Sequence, residues 1–528
     1  MLSLGLCYEI DNFAKNYIQE TVVMKILLKN YIIAGFSGMA FASCTSIMSF
    51  TDSIFKKDRS PQIEVIAETD SIASQGIATV QIPYLKFKAL ETGSFSFSKA
   101  GLSYSLDGGS TWTILRAGAS TLILSVGDSV MWKNNTEMSP SPSEGIGTFS
   151  STGRFDASGN IMSLYYGKDC AEQKDLTGKD YAFSGLFTDC TGLVSAEALQ
   201  LPATTLADYC YSNMFENCIS LISAPVLPAT SLAECCYSSM FEDCVSLVSA
   251  PALPAMTLKE GCYNSMFEGC RDLSLAPELP ATTLAESCYS SMFEGCTSLI
   301  FAPSLPAITL TERCYSSMFS GCSCLASEPA LPATTLANYC YSGMFYGCTS
   351  LTTAPELPAV AMEKYCYSSM FSACTGLISA PMLPAMLLAE SCYSGMFNNC
   401  TSLTEAPALP ARILSKGCYE YMFYGCKGLT VAPELPATIL AKDCYTSMFM
   451  NCNNLEYIKA AFTISPSMDY TNMWVYGVKP KGRFCKNYSA NWKVKGTNGV
   501  PSGWKVVRSS RSTVSRNGNY KRNSYGKK

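Results

Sequence analysis

From Leu232 the apolar positions fall four apart, at Leu232, Cys236, Met240 and Cys244, with Tyr237 and Phe241 on the adjoining row. On a helix these make one broad apolar stripe, which predicts about three helical turns. Ser231 and Glu234 stand where a capping box would open that helix, as do Thr257 with Glu260, Thr283 with Glu286, and Thr309 with Glu312. Further along, Ala361, Leu387, Ile413 and Ile439 occupy the cap position, so the later helices should start more loosely, by about 1 kcal/mol each. After Cys244 the run Ser246 to Ala250 predicts a very short strand. Pro251 and Pro254 end it, since neither can donate a ladder hydrogen bond.

The unit recurs. Its closing cysteine stands at Cys218, Cys244, Cys270, Cys296, Cys322, Cys348, Cys374, Cys400, Cys426 and Cys452, always 26 residues on, and a degenerate copy, Ala182 to Cys190, precedes them by 28. A fixed period in this range predicts a solenoid. The expected fold is an α/β solenoid with short parallel strands on one side and helices on the other. Eleven coils at ~5 Å each would make an arc roughly 50 Å long.

Upstream the period changes to two. Tyr84–Leu90, Ser94–Ser98, Leu102–Leu106 and Thr121–Val126 alternate and are separated by glycine-containing turns, which predicts a small all-β sandwich. The expected organisation is an upstream extension and leader at 1–44, a tether at 45–75, the all-β domain at 76–165, the solenoid at 166–456, an aromatic cap at 457–504 and a basic, disordered tail at 505–528. The cap follows from the need to close an open apolar end, and Trp474, Trp492 and Trp504 supply the bulk.

Composition narrows the chemistry. The chain of 528 residues has no histidine, which removes histidine-based catalytic pairs and histidine metal sites. A net charge of −4 gives no electrostatic footprint for nucleic acid. The 27 cysteines fall mostly in two columns, those of Cys236 and Cys244. Stacked free thiols suit such columns. Bridges within a column remain geometrically open at a coil spacing of ~5 Å.

Met24-Lys-Ile-Leu-Leu-Lys, an apolar run from Tyr31 to Ala42 and Phe41-Ala-Ser-Cys44 are similar to a bacterial lipoprotein signal peptide. The resemblance implies lipidation at Cys44, an N-terminal lipid anchor and a start at Met24. An ordinary secretory signal or a short membrane anchor is the competing reading, and Phe41 departs from the usual leucine. Ser105-Leu-Asp-Gly-Gly-Ser-Thr-Trp112 resembles the Asp-box of sialidase propellers. Ser105, Asp107, Gly109, Thr111 and Trp112 are expected to build a structural turn, with Asp107 accepting turn amides and Trp112 packing beneath. One copy cannot make a propeller.

The reiterated Leu-x-x-x-Cys-Tyr-x-x-Met-Phe-x-x-Cys-x-x-Leu-x-x-Ala-Pro-x-Leu-Pro-Ala resembles the BspA-like leucine-rich repeats of bacterial surface proteins. Met240-Phe241, Cys244 and Leu247 match that pattern, and the period departs from the commoner 23 or so. The resemblance implies a non-catalytic protein of the cell envelope, lipid-anchored at the outer membrane and displayed outward. It would adhere to host matrix proteins, glycans or other cells, without a cofactor and as a monomer. An envelope spacer with no ligand is the alternative, and a glycosidase a weaker one, since no carboxylate pair is evident outside the repeats. Variable slots after each strand leucine nominate Leu275, Phe301, Thr353, Glu405 and Val431 as a ligand face. Glu216, Glu242, Glu268 and Glu294 would stack as a charged row, either a solvated face or a seat for a cation such as calcium.

Overall fold

The computed structural model describes residues 83–135 and 145–510. The chain divides into two compact units, Met1–Thr79 and Val80–Lys528. The first lies outside the described residues, and so do Cys44, the leader and the tether.

The second unit is a repeat solenoid, but its coils contain no helices. Among the described residues the α-helices are α1 (Ser163–Tyr166) and α2 (Met468–Thr471), both outside the repeated segments. Where helices were expected the backbone runs as a chain of turns. In the coil at Tyr209–Cys218, alternate amides close turns: Cys210, Ser212, Met214, Glu216 and Cys218 each donate to the carbonyl three residues back. The amides between them, Tyr209, Tyr211, Asn213, Phe215 and Asn217, donate to Glu234, Cys236, Ser238, Met240 and Glu242 of the next coil. Every amide in the segment is therefore paired, half of them across coils.

A left-handed residue every fourth position makes this path possible, and no α-helix tolerates that. In this coil they are Tyr209 (φ 56°), Asn213 (φ 57°) and Asn217 (φ 57°). The third of these columns reads Asp189, Asn217, Asp243, Gly269, Gly295, Gly321, Gly347, Ala373, Asn399, Gly425, Asn451 and Gly477. Gly, Asn and Asp are the residues that accept positive φ at least cost. The spacing of four fits as well. A helix turns about 100° per residue, so residues four apart drift ~40° per step, whereas the turn chain keeps them in line.

The capping boxes do not form. Thr257 bridges Thr283 and Thr309 bridges Thr335 in parallel, and Ala361 with Leu387 and Ile413 with Ile439 do the same. A parallel bridge asks for no capping hydroxyl, so Ala, Leu and Ile serve there as well as Thr. A second ladder joins Ser195, Ser223 and Ser249, then Leu275, Phe301 and Ser327, then Ser379 and Glu405. Between the ladders runs the extended Pro-x-Leu-Pro segment, whose Leu253 and Ala255 point inward at 3% and 1% exposure.

Identical side chains stack in the core. Phe215 lies over Phe241 at 5.3 Å and 4°, and Tyr237 over Tyr263 at 5.9 Å and 3°. Each closing thiol donates to the phenylalanine carbonyl of the preceding coil: Cys244 Sγ to Phe215 O at 3.0 Å, Cys322 Sγ to Phe293 O at 3.0 Å. No disulfide joins any described cysteine; Cys324 is exposed and Cys235 half-buried. Burial pushes the core thiols up, that of Cys374 to about 12.

The ends are closed chemically. Strands β1 (Leu85–Ala89), β2 (Phe95–Phe97), β3 (Leu102–Ser105), β4 (Thr113–Leu115), β5 (Ser129–Asn134), β6 (Phe149–Ser151) and β7 (Phe155–Asn160) precede the coils. With β8 (Leu193–Gln200) of the first coil they form a six-stranded sheet, β4-β3-β5-β1-β7-β8, and a separate β2-β6 pair. The all-β domain thus shares a sheet with the solenoid, β7 and β8 running parallel. Thr121–Val126 forms no strand. Leu124 and Ser120 make single bridges, while Leu122, Ile123 and Val126 stay exposed. Phe149 N, Thr148 Oγ1 and Tyr165 Oη occupy the first coil's carbonyls at Leu186, Gly185 and Ala182.

At the other end a parallel sheet runs in the order β12-β11-β10-β9, from β9 (Val431–Leu435) and β10 (Tyr457–Ala460) to β11 (Arg483–Lys486) and β12 (Lys505–Arg508). The expected disordered tail therefore begins with an ordered strand, because Lys505–Arg508 pairs residue for residue with Arg483–Lys486. Residues 511–528 lie outside the described residues. Trp474, fully buried, ends the aromatic stacks against Tyr445 and Phe449, and Asn498 Oδ1 accepts the Met473 amide that has no further coil to meet.

Candidate binding surface

Two outward surfaces of the solenoid carry side chains that the scaffold does not consume. One is the bridge ladder. Leu275, Phe301, Glu405 and Val431 pair on it, and Thr353 shares their column without a bridge. Leu275 is 42% and Val431 50% exposed, Thr353 and Glu405 are exposed, and Phe301 is half-buried between Leu275 and Ser327. Thr353 Oγ1 is already engaged, donating to the Glu328 carboxylate at 3.1 Å. Past Val431 the column continues through Tyr457 and Arg483 to Lys505. It runs from serine through Leu275 and Phe301, back to Ser327, Thr353, Ser379 and Glu405, then through Val431 and Tyr457 to the basic Arg483 and Lys505.

The other surface is the outer side of the turn chains. Glu216, Glu242, Glu268 and Glu294 occupy one column there, all half-buried. Glu216 accepts from Asn213 Nδ2 at 2.9 Å; Glu294 accepts from Ser291 Oγ at 2.8 Å and Ser320 Oγ at 3.1 Å. Burial pushes the carboxyls of Glu216 and Glu268 up, and neighbouring carboxylates add to the rise, while the bonds from Asn213 and Ser265 oppose it. No group of three or more acidic or cysteine side chains among the described residues is placed to hold a metal ion. The bonds of Glu216 and Glu294 come from asparagine and serine. At its start a cleft of about 650 Å³ opens between the all-β domain and the first coils, bordered by Lys99, Thr148, Asn213 and Glu216.

Past Glu294 the same column changes to Ser320, Tyr346, Ser372, Asn398, Tyr424, Met450 and Tyr476. The column is acidic from Glu216 to Glu294 and uncharged beyond, with tyrosine at Tyr346, Tyr424 and Tyr476. These aromatics were not singled out as functional from sequence. The available signal was the departure of single residues from their columns, as Tyr421 departs where Ser239, Ser265, Ser291, Ser317 and Ser369 stand in other coils.

The Asp-box turn joins β3 to β4. Asp107 Oδ1 accepts from Thr111 N at 2.8 Å and from Ser105 Oγ at 2.7 Å, while Oδ2 accepts from Thr111 Oγ1 at 2.6 Å. These bonds hold the Asp107 carboxyl down at about 2. Gly109 has φ 94°, and Trp112 donates to its carbonyl at 3.0 Å while packing edge-on against Tyr84. Each acceptor of the carboxylate is spent on its own turn, a structural arrangement.

No family model matches the chain. No curated protein matches it either. Among solved structures, the crystal structure of the TLR13–ssRNA13 complex matches over 64% of this chain and 49% of that one, at 12% identity and a TM-score of 0.23. This chain therefore spans about half the length of that protein. So loose a superposition carries no argument here, and the repeat solenoid stands on its own hydrogen-bond ladder.

Proposed function

We propose that the protein is a non-catalytic binding scaffold of a bacterial cell envelope, anchored by lipid at Cys44 and displayed outward to adhere to extracellular macromolecules. The observation that supports a binding role is the ladder column, where Leu275 and Val431 stay exposed on the outside of the solenoid. A large apolar side chain gains little for the core at such a position, and other coils hold it with Ser223, Ser249, Ser327 and Ser379. Exposed apolar anchors of this kind are what a partner's surface would bury.

The test is binding of the full chain to immobilised matrix proteins and to intact cells, beside a variant carrying Leu275→Ser, Phe301→Ser and Val431→Ser. Binding that falls at least tenfold in the variant, with an unchanged melting temperature, supports the reading. Absence of binding to every surface favours an envelope spacer, and turnover of chromogenic glycosides would favour an enzyme. Cleavage and lipidation at Cys44 are read by mass spectrometry of the mature protein.

A further inference from the structure

Where each turn chain begins, the ladder through Thr257 and Thr283 leaves two adjacent columns of side chains outside the core. In six successive coils, from Thr204 and Thr205 to Thr334 and Thr335, these columns hold threonine except at Ser231, Met256 and Ile308. In the next four coils they turn aliphatic: Val360, Met386, Leu387, Ile413 and Ile439 are each more than half exposed. Ala361 bridges Leu387 and Ile413 bridges Ile439, which sets neighbouring coils ~5 Å apart. Five such side chains on four consecutive coils make a continuous apolar stripe. Threonine builds the same bridges in the earlier coils, so the scaffold does not require the stripe. A contiguous exposed patch of this kind marks a contact surface.

Three residues beyond the ladder runs a charged column. It reads Asp208, Glu234, Glu260, Glu286 and Glu312, then Asn338, then Lys364, Glu390, Lys416 and Lys442. Glu390 lies between Lys364 and Lys416, at 3.5 Å and 2.7 Å, so the later coils present a basic border to the stripe. In the earlier coils Arg313 pairs with Glu286 and Glu312, which leaves Asp208, Glu234 and Glu260 without an ion pair among the described residues. The column therefore changes sign half-way along the array.

We propose that two copies of the chain pair along this corner, antiparallel, about a two-fold axis between the coils of Glu312 and Asn338. That register sets Asp208 against the second copy's Lys442, Glu234 against its Lys416 and Glu286 against its Lys364, each contact being made twice, as two-fold symmetry requires. Glu260 falls opposite Glu390, whose charge its own two lysines offset. The aliphatic stripe lies on the second copy's hydroxyl ladder, Leu387 on Thr257, Ile413 on Ser231 and Ile439 on Thr205. Both copies share one coil pitch, so the opposed columns stay in step. A bilayer would also cover the stripe, but an anionic one would repel the five acidic residues in line with it. The dimer departs from the monomer that the resemblance implied. It uses neither the Leu275 column nor the Glu216 row, and it does not rest on the adhesive reading above.

The experiment is sedimentation velocity on the full chain. The parent should dimerise below ~100 μM, and raising salt from about 0.05 M to about 0.5 M should weaken the dimer at least tenfold. Lys416→Glu with Lys442→Glu should be monomeric, and so should Asp208→Lys with Glu234→Lys. An equimolar mixture of these two variants should form a heterodimer, because one is acidic at both ends of the corner and the other basic at both. Leu387→Thr with Ile413→Thr should weaken the dimer at least tenfold without lowering the melting temperature, since threonine fills that column in earlier coils. The proposal is overturned if the parent stays monomeric, if the mixture does, or if the threonine variant dimerises as tightly as the parent. A monomeric parent that binds phosphatidylglycerol vesicles also overturns it, and assigns the stripe to a membrane. Loss of matrix binding alone would sink the adhesive reading and leave this one standing.

Discussion

Replacing Cys322 with alanine removes one sulfur from the middle of the thiol column. Cys322 is fully buried, and its Sγ donates to Phe293 O at 3.0 Å. That carbonyl also accepts from Cys296 N at 3.1 Å, so the substitution leaves no orphaned acceptor. The cost is therefore packing plus one weak bond. Losing about one methylene's worth of buried surface costs ~0.8 kcal/mol. The void left by a sulfur adds ~0.5 kcal/mol, and the thiol–carbonyl bond roughly as much again. Cys322→Ala should thus lose about 1.5–2 kcal/mol, read as a lower urea midpoint. Cys322→Ser keeps a donor aimed at the same oxygen and should fall between the parent and the alanine variant. Native-state alkylation supplies the control: Cys324, two residues on and exposed, should react, while Cys322, its thiol pushed up by burial, should not. A loss below about 0.5 kcal/mol, or equal labelling of the two thiols, would refute the stacking argument.

Other outcomes follow from the same geometry. The far-UV circular dichroism spectrum should lack the helical double minimum, because the described helices amount to four residues each; a strong minimum at 222 nm would restore the helical reading. Glu268→Gln should raise the melting temperature at pH 7 and have no effect below about pH 4. Its carboxyl is pushed up in the fold, so the native state holds more protons than the unfolded one, and stability falls as pH rises through that window. An effect that grows at low pH would reverse the sign and reject the cause. Trp474→Ala should cost about 3–5 kcal/mol, with hydrogen exchange accelerated first in the coils nearest residue 474; uniform acceleration along the array would deny it a capping role.

Periodicity in the sequence located the coils and their register, because identical side chains at 26-residue spacing have only one way to stack. It also marked the short parallel ladder after Leu247 and the aromatic closure around Trp474. The helices were misread for a definable reason. Cys236, Met240 and Cys244 lie four apart, and a spacing of four satisfies a helix stripe and a chain of four-residue turns alike. What separates them is the Asp243, Gly269, Gly295, Gly321 column, where Asp and Gly announce positive φ. A glycine recurring inside a supposed helix was evidence against it. The threonines read as helix caps were bridge residues, which the later Ala361, Leu387 and Ile413 already suggested by their indifference to hydroxyls. At the candidate site the ladder column was visible as variability among constant neighbours. The stripe at Leu387 and Ile413 was not, since in a helical reading those residues stand as weak caps.

The central claim is that each 26-residue step advances the chain by one coil. It is tested most directly by pulsed electron resonance between genetically encoded spin labels at Glu278, Glu356 and Glu434, three exposed positions of one column. Glu278 and Glu356 are three coils apart, and Glu278 and Glu434 six. At ~5 Å per coil the separations should be about 15 Å and 30 Å, the second twice the first, each with a narrow distribution. Separations that do not grow in proportion to the number of repeats, or that spread broadly, would contradict the stacked solenoid.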